Sequence, residues 1–142
     1  PAGHLPILFE PVFRTGIDYS FGNVSTTKAN GPVLPVLYGN RDDPCLRYDL
    51  DLMLGLTPEA SIALDGVHAA AEAVTRGVCL EPGSLLIVDN RRAVHGRAAF
   101  SPRYDATDRL LKRAYVVSDL APSAADRESG GRVIGTGFDN LA

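Results

Sequence analysis

The chain has 142 residues, 45% of them apolar, and 14 basic side chains stand against 17 acidic ones for a formal charge of −3. That composition suits one packed domain and, with no basic run, argues against a nucleic-acid surface. No apolar stretch approaches the roughly 18 residues of a membrane-spanning helix, no charged leader with an apolar segment reads as a signal peptide, and Cys45 and Cys79 form no Cys-x-x-Cys knuckle or disulfide framework. The expectation is a cytoplasmic protein with two buried, unpaired thiols.

Residues 5–15, LPILFEPVFRT, are rich in strand formers and are predicted extended, with Pro6 and Pro11 placing them at an edge or bulge. Residues 16–43 hold many Gly, Pro, Asn, Ser and Thr and little periodicity, so they are predicted as a loop, with a short strand or edge segment over Val33–Tyr38. A loop of that length in a compact domain is usually functional or disordered. Residues 45–54, CLRYDLDLML, alternate as a strand does. Asp49 and Asp51 then point the same way, either as a solvated face or as paired carboxylates that need a cation or guanidinium between them.

Residues 57–76 are predicted helical: Thr57 is a good N-cap, Pro58 and Glu59 suit the first turn, and Arg76-Gly77 closes the segment. Ile62, Ala63, Val67, Ala70, Ala71 and Val74 make its apolar stripe, which packs the helix on the outside of a sheet. His68 lies off that stripe and reads as a surface residue.

Val78–Glu81 and the turn Pro82-Gly83-Ser84 launch an apolar run, Leu85–Val88, that is predicted as a buried strand ending at Asp89-Asn90-Arg91-Arg92. His95 follows, so its imidazole sits at a strand end rather than in a dry core. Asp89 and Asn90 either hold that ring or make the turn. A second apolar run, Ala114–Val117, is the other predicted buried strand. Arg109 and Arg113 precede it and share a side whether the segment is helical or extended. Two arginines in a pocket are costly unless they meet anions, and their planar forks suit carboxylates. Asp105 and Asp108 are expected to satisfy the local turn and nearby arginines. The tail, 121–142, is expected to be loosely ordered, with Arg132-Val133-Ile134 docking.

The residues alone thus give one candidate metal ligand, His95, and two candidate carboxylate clamps, Arg109 and Arg113. Together, VDNRRAVHGR (88–97) and RYDATDRLLKR (103–113) closely resemble the distal half of the clavaminate synthase-like iron(II)/2-oxoglutarate oxygenases. Within that family it looks like the amino-acid β-hydroxylases of peptide-antibiotic pathways, the L-arginine and L-asparagine oxygenases, and a weaker similarity runs from about Leu8 to Val133. The resemblance implies a mainly β fold: the C-terminal portion of a double-stranded β-helix, jelly-roll or cupin-like, with one packed outer helix. It implies that His95 is the last ligand of a two-histidine, one-carboxylate facial triad. It implies that Arg109 anchors the distal carboxylate of 2-oxoglutarate, that Arg113 holds the substrate's α-carboxylate, and that the Asp49/Asp51 segment reads its side chain or amino group. Paired carboxylates suit a guanidinium, so the implied reaction is hydroxylation of a free, arginine-like L-amino acid at Cβ, with 2-oxoglutarate leaving as succinate and CO2. Loop 16–43 is implied to cross the mouth of the active site.

The sequence departs from that family in one respect. Its first two ligands form a His-x-Glu or His-x-Asp pair, and neither His4, followed by Leu5-Pro6, nor His68, followed by Ala69-Ala70, begins one. The expectation is that residues 1–142 are the C-terminal part of a single oxygenase domain whose N-terminal half, on the same or a separate chain, supplies the pair. The alternatives are a non-catalytic jelly-roll binding module that keeps the clamps without a metal, and a packing domain with no ligand.

Overall fold

A computed structural model describes residues 5–16, 31–127, 129 and 131. The chain divides after His95 into two compact units. The first carries a 3-10 helix at Pro6–Phe9, then β1 (Phe13–Arg14), β2 (Val33–Leu34), β3 (Leu37–Asn40), β4 (Asp43–Leu46), β5 (Leu54–Gly55) and α1 (Pro58–Val74). The second, beginning at Gly96, carries a 3-10 helix at Ala121–Asp126. The described residues therefore hold a few short strands and one long helix.

Phe13 is the centre of the first unit. It is fully buried and pairs antiparallel with Leu34 on one side and Gly55 on the other, giving a three-stranded sheet in the order β2-β1-β5. β3 and β4 form a separate antiparallel hairpin, with Leu37 opposite Leu46 and Asn40 opposite Asp43. Its tight end is held by the Asp42 amide, which donates to Asn40 Oδ1 at 3.0 Å. Leu8, Val36, Met53, Ala60 and Ala63 complete the core around Phe13, with Val12, Leu34, Leu46, Tyr48, Leu64 and Val67 packed against it.

The segment predicted extended over 5–15 is so only from Phe13 onward. Pro6 starts a 3-10 turn, closed by the Glu10 amide donating to the Ile7 carbonyl at 3.0 Å. Proline's fixed φ suits the first helical position, and the turn aims Leu8 into the core, where strand alternation would not keep both Leu8 and Phe13 buried. The predicted loop gives way, from residue 31, to β2 and the β3–β4 hairpin; residues 17–30 lie outside the described ones.

α1 starts as predicted. The Thr57 hydroxyl accepts from the Ala60 amide at 3.1 Å, with Pro58 and Glu59 in the first turn. The helix ends slightly early, at Val74, where the Thr75 hydroxyl donates to the Ala71 carbonyl at 2.8 Å. The predicted stripe is met in part: Ala63 is buried and Val67 packs against the core, joined by Ala60 and Leu64, whereas Ile62 is 54% and Val74 71% exposed. Ala60 faces inward at the point where β5 lies close beneath. A Cβ on Gly55 would stand 2.4 Å from the Ser61 backbone nitrogen.

The strand predicted over 45–54 stops at Leu46. Asp49 Oδ1 accepts from the backbone amides of Asp51 and Leu52, each at 3.0 Å, and the Asp49 carbonyl accepts from the Met53 amide at 3.2 Å. A short carboxylate side chain has offered the backbone a turn in place of a ladder. Asp49 and Asp51 are thus turn residues and do not share a strand face.

The two apolar runs predicted as buried strands are unpaired among the described residues. Leu85 and Ile87 are each 83% exposed, and Val116 is 95% exposed. A strand is a property of a pair, and no described segment pairs with either run. Cys45 is half-buried and Cys79 exposed, so only one thiol is sheltered; neither forms a disulfide. Within the segment expected as a loose tail, Ala121–Asp126 form a 3-10 helix. The Arg127 guanidinium donates to the carbonyls of Ser123, Leu120 and Gly131 at 3.2, 2.8 and 3.0 Å. The expected docking of Arg132-Val133-Ile134 falls outside the described residues.

Candidate active site

His95 stands at the end of a turn built by Asp89. The Asp89 carbonyl accepts from the amides of Arg92 and Ala93, both at 3.0 Å. Its Oδ1 accepts from the Arg91 amide at 3.0 Å and from Arg91 Nε at 3.3 Å. Those bonds, the backbone one foremost, hold the Asp89 carboxyl below the usual carboxylate range. Asp89 therefore makes the turn, the second of its two sequence readings, with Arg91 occupying its carboxylate.

Two contacts tie this turn to the β3–β4 hairpin. The Leu46 amide donates to the Arg91 carbonyl at 2.8 Å. The Arg92 guanidinium forms a two-pronged ion pair with the Asp43 carboxylate, which lowers the pKa of Asp43 and raises that of Arg92. Sequence reasoning assigned no role to Asp43 or Arg92. The only available signal was a run of two arginines just before His95, and the partner lies 49 positions away. His95 itself is exposed.

The second unit carries Arg109 and Arg113, both exposed. The Arg113 guanidinium lies over the Tyr115 ring, 5.2 Å from its centroid. The loop before Arg109 is built by two aspartates, as expected. Asp108 accepts from the amides of Arg103 and Tyr104, the latter at 2.8 Å. Asp105 accepts from the Thr107 hydroxyl at 2.6 Å and the Thr107 amide at 2.9 Å, which lowers its pKa. Arg103 Nε adds ion-pair contacts at 3.8 Å to Asp105 and 4.0 Å to Asp108.

In the first unit, Asp49 and Asp51 are exposed, and with Asp65 and Glu72 they crowd Tyr48. Burial first, and then those four carboxylates, raise the Tyr48 pKa. The acidic turn is therefore a region of negative potential. His68 Nε2 lies 3.5 Å from Glu72 Oε1, one helical turn on, and serves the helix surface as its position off the stripe suggested.

His95 supplies one accessible imidazole donor. Among the described residues, no three His, Cys, Asp or Glu side chains are grouped to hold a metal. The donor set fits one corner of an iron(II) centre and does not make one by itself. The described residues also include no helix long and apolar enough to cross a membrane.

Residues 10–115 match the model of the taurine catabolism dioxygenase TauD, TfdA family. This chain belongs to that family. As a TauD/TfdA-family member of the clavaminate synthase-like group, it is 41% identical over 138 residues to the L-lysine 3-hydroxylase of Catenulispora acidiphila, covering 94% of this chain and 38% of that protein. The crystal structure of asparagine oxygenase superposes with a TM-score of 0.82 at 41% identity, over 96% of this chain and 41% of that one. The non-heme iron oxygenase OrfP, in complex with Fe, succinate and (3S)-hydroxy-L-arginine, gives 0.78 at 37% identity, over 95% of this chain and 42% of that one. The family member described here thus spans about two fifths of the length of these relatives. The likeness covers nearly all of this chain, including segments that are unpaired among its described residues.

Proposed function

We propose that this chain is the part of an iron(II)- and 2-oxoglutarate-dependent amino-acid hydroxylase that carries the last metal ligand and both carboxylate clamps. The observation that carries the reading is the backbone likeness to OrfP bound to Fe, succinate and a hydroxylated arginine, joined to the VDNRRAVHGR and RYDATDRLLKR motifs. His95 gives its imidazole to the iron. Arg109 takes the distal carboxylate of 2-oxoglutarate with its planar fork. Arg113 holds the α-carboxylate of the amino acid. The acidic turn at Asp49 and Asp51 would receive a cationic side chain.

The turn geometry divides that last role. Asp49 Oδ1 is committed to two backbone amides, so Asp49 offers a fixed carboxylate with Oδ2 left for a guanidinium. Asp51 is the freer of the two. The iron and cosubstrate together supply the oxidising chemistry when bound, and these residues supply placement. The remaining two metal ligands come from an N-terminal half that also pairs with Leu85–Val88 and Ala114–Val117 and closes a double-stranded β-helix. Unpaired edges and exposed apolar runs of this kind call for such a partner. The substrate is a free, arginine-like L-amino acid, hydroxylated at Cβ in a peptide-antibiotic pathway. The test is turnover by the complete gene product with iron(II), 2-oxoglutarate and, in turn, L-arginine, L-lysine and L-asparagine. The His95→Ala variant should lose it.

A further inference from the structure

The turn before His95 is attached to β4 at two places, and the second of these is a side-chain pair. At one end of β4 the Leu46 amide donates to the Arg91 carbonyl at 2.8 Å. At the other end Asp43 receives the Arg92 guanidinium on both carboxylate oxygens. Asp43 and Leu46 are three positions apart on an extended strand, about 10 Å at the usual rise. The Arg92 side chain therefore runs back along β4 while its backbone neighbour is fixed at the far end.

One hydrogen bond acts as a pivot. A second contact at the opposite end of the strand removes rotation about it. The two points together fix the direction in which the chain leaves Arg92, and His95 follows three residues later. Arg91 is not available to substitute, because its guanidinium is held by Asp89. The Asp43 and Arg92 side chains are 63% and 47% exposed, and exposed ion pairs contribute little to global stability. The fork-to-carboxylate geometry instead gives orientation.

We propose that Asp43 and Arg92 are positioning residues for His95: a two-pronged strut that sets the angle at which the hairpin presents the imidazole. This rests on the reading of His95 as an iron ligand. Neither residue touches metal or substrate, and both act through the turn.

The experiment uses the complete gene product in three forms: wild type, Asp43→Asn, and the charge-swapped pair D43R/R92D. Amide hydrogen exchange over residues 91–95 reports the turn, equilibrium iron(II) binding without turnover reports the ligand, and a melting curve reports the fold. The expected result for Asp43→Asn is faster exchange confined to the turn and iron affinity lower by roughly tenfold, the low end of what losing a ligand's supporting contact costs. The melting temperature should barely move, and the swapped pair should regain most of the affinity. Should Asp43→Asn not fold, Arg92→Lys decides on the same binding measurement, because it keeps the charge and loses the fork. Equal iron affinity in wild type and variant overturns the proposal, whether or not exchange changes. A wild-type protein that takes up no iron overturns the hydroxylase reading itself, and this proposal with it.

Discussion

Asp108 accepts a hydrogen bond from the Tyr104 amide at 2.8 Å and thereby closes the loop that ends at Arg109. Tyr104 and Ala106 both adopt positive φ, 57° and 64°, a conformation that costs energy for residues with a Cβ. The loop holds that shape because Asp108 and Asp105 take its amides. Replacing Asp108 by Ala should let Arg109 wander. In the complete gene product the expected outcome is a raised KM for 2-oxoglutarate, with kcat changed much less. Steady-state kinetics with varied cosubstrate check this, and a fall in kcat at unchanged KM would contradict it.

Asp105 offers a pH test. Its folded pKa is lowered chiefly by the Thr107 hydroxyl. A depressed carboxylate contributes stability that is fully present above its ordinary value of 3.8 and is lost as pH falls through the lower folded value. The Thr107–Asp105 contacts should therefore persist below pH 3.8 in the native protein. In Thr107→Val the Asp105 pKa should rise back toward the ordinary value, so the same loosening should begin at higher pH. Carboxyl carbon shifts of Asp105 followed by NMR decide it.

Gly55 leaves no room for a side chain beneath α1. An added Cβ would meet the Ser61 nitrogen at 2.4 Å and the Ala60 carbonyl carbon at 2.6 Å, both backbone atoms. Gly55→Ala should push α1 off the sheet and destabilise the protein by about 1–3 kcal/mol, the usual range for overpacking a core. Thr57→Ala removes the helix cap without touching the core and should cost about 1 kcal/mol. Denaturant unfolding of both variants gives the comparison, and an equal or larger loss in Thr57→Ala would argue against the close packing at Gly55.

Asp51 separates the two acidic residues of the turn. If Asp49 chiefly holds the backbone while Asp51 chiefly meets a cationic side chain, Asp51→Asn should raise the KM for L-arginine by roughly tenfold or more, as loss of a charge-assisted contact does. Asp49→Ala should also lower the melting temperature, because Asp49 Oδ1 serves two amides that alanine cannot take. The opposite pattern would reverse their roles.

These contrasts mark what the sequence could and could not carry. α1 was legible because its signals are local: Thr57, Pro58 and Glu59 sit next to one another and act within one turn. Its buried face was only partly placed, because which residues face inward depends on β5: glycine at 55 lets that strand approach the helix backbone at Ala60 and Ser61, and Ala60 is buried there while Ile62 is not. The alternation over 45–54 was real, but Asp49 competes for the amides that a ladder needs. Leu85–Val88 and Ala114–Val117 have strand composition, yet pairing requires a second segment, and the described residues provide none. His95, Arg109 and Arg113 stood out through motif spacing. Asp43 did not, because its partner is 49 positions away and only folding brings them together.

Whether His95 belongs to an iron site that oxidises a free amino acid is decided most directly by mass analysis of L-arginine incubated in air with the complete gene product, iron(II) and 2-oxoglutarate. The expected result is a product heavier by one oxygen, succinate in matching amount, and loss of both in His95→Ala. Amino-acid binding that is indifferent to iron, with no oxidised product from L-arginine, L-lysine or L-asparagine, would contradict it and leave a jelly-roll binding module in its place.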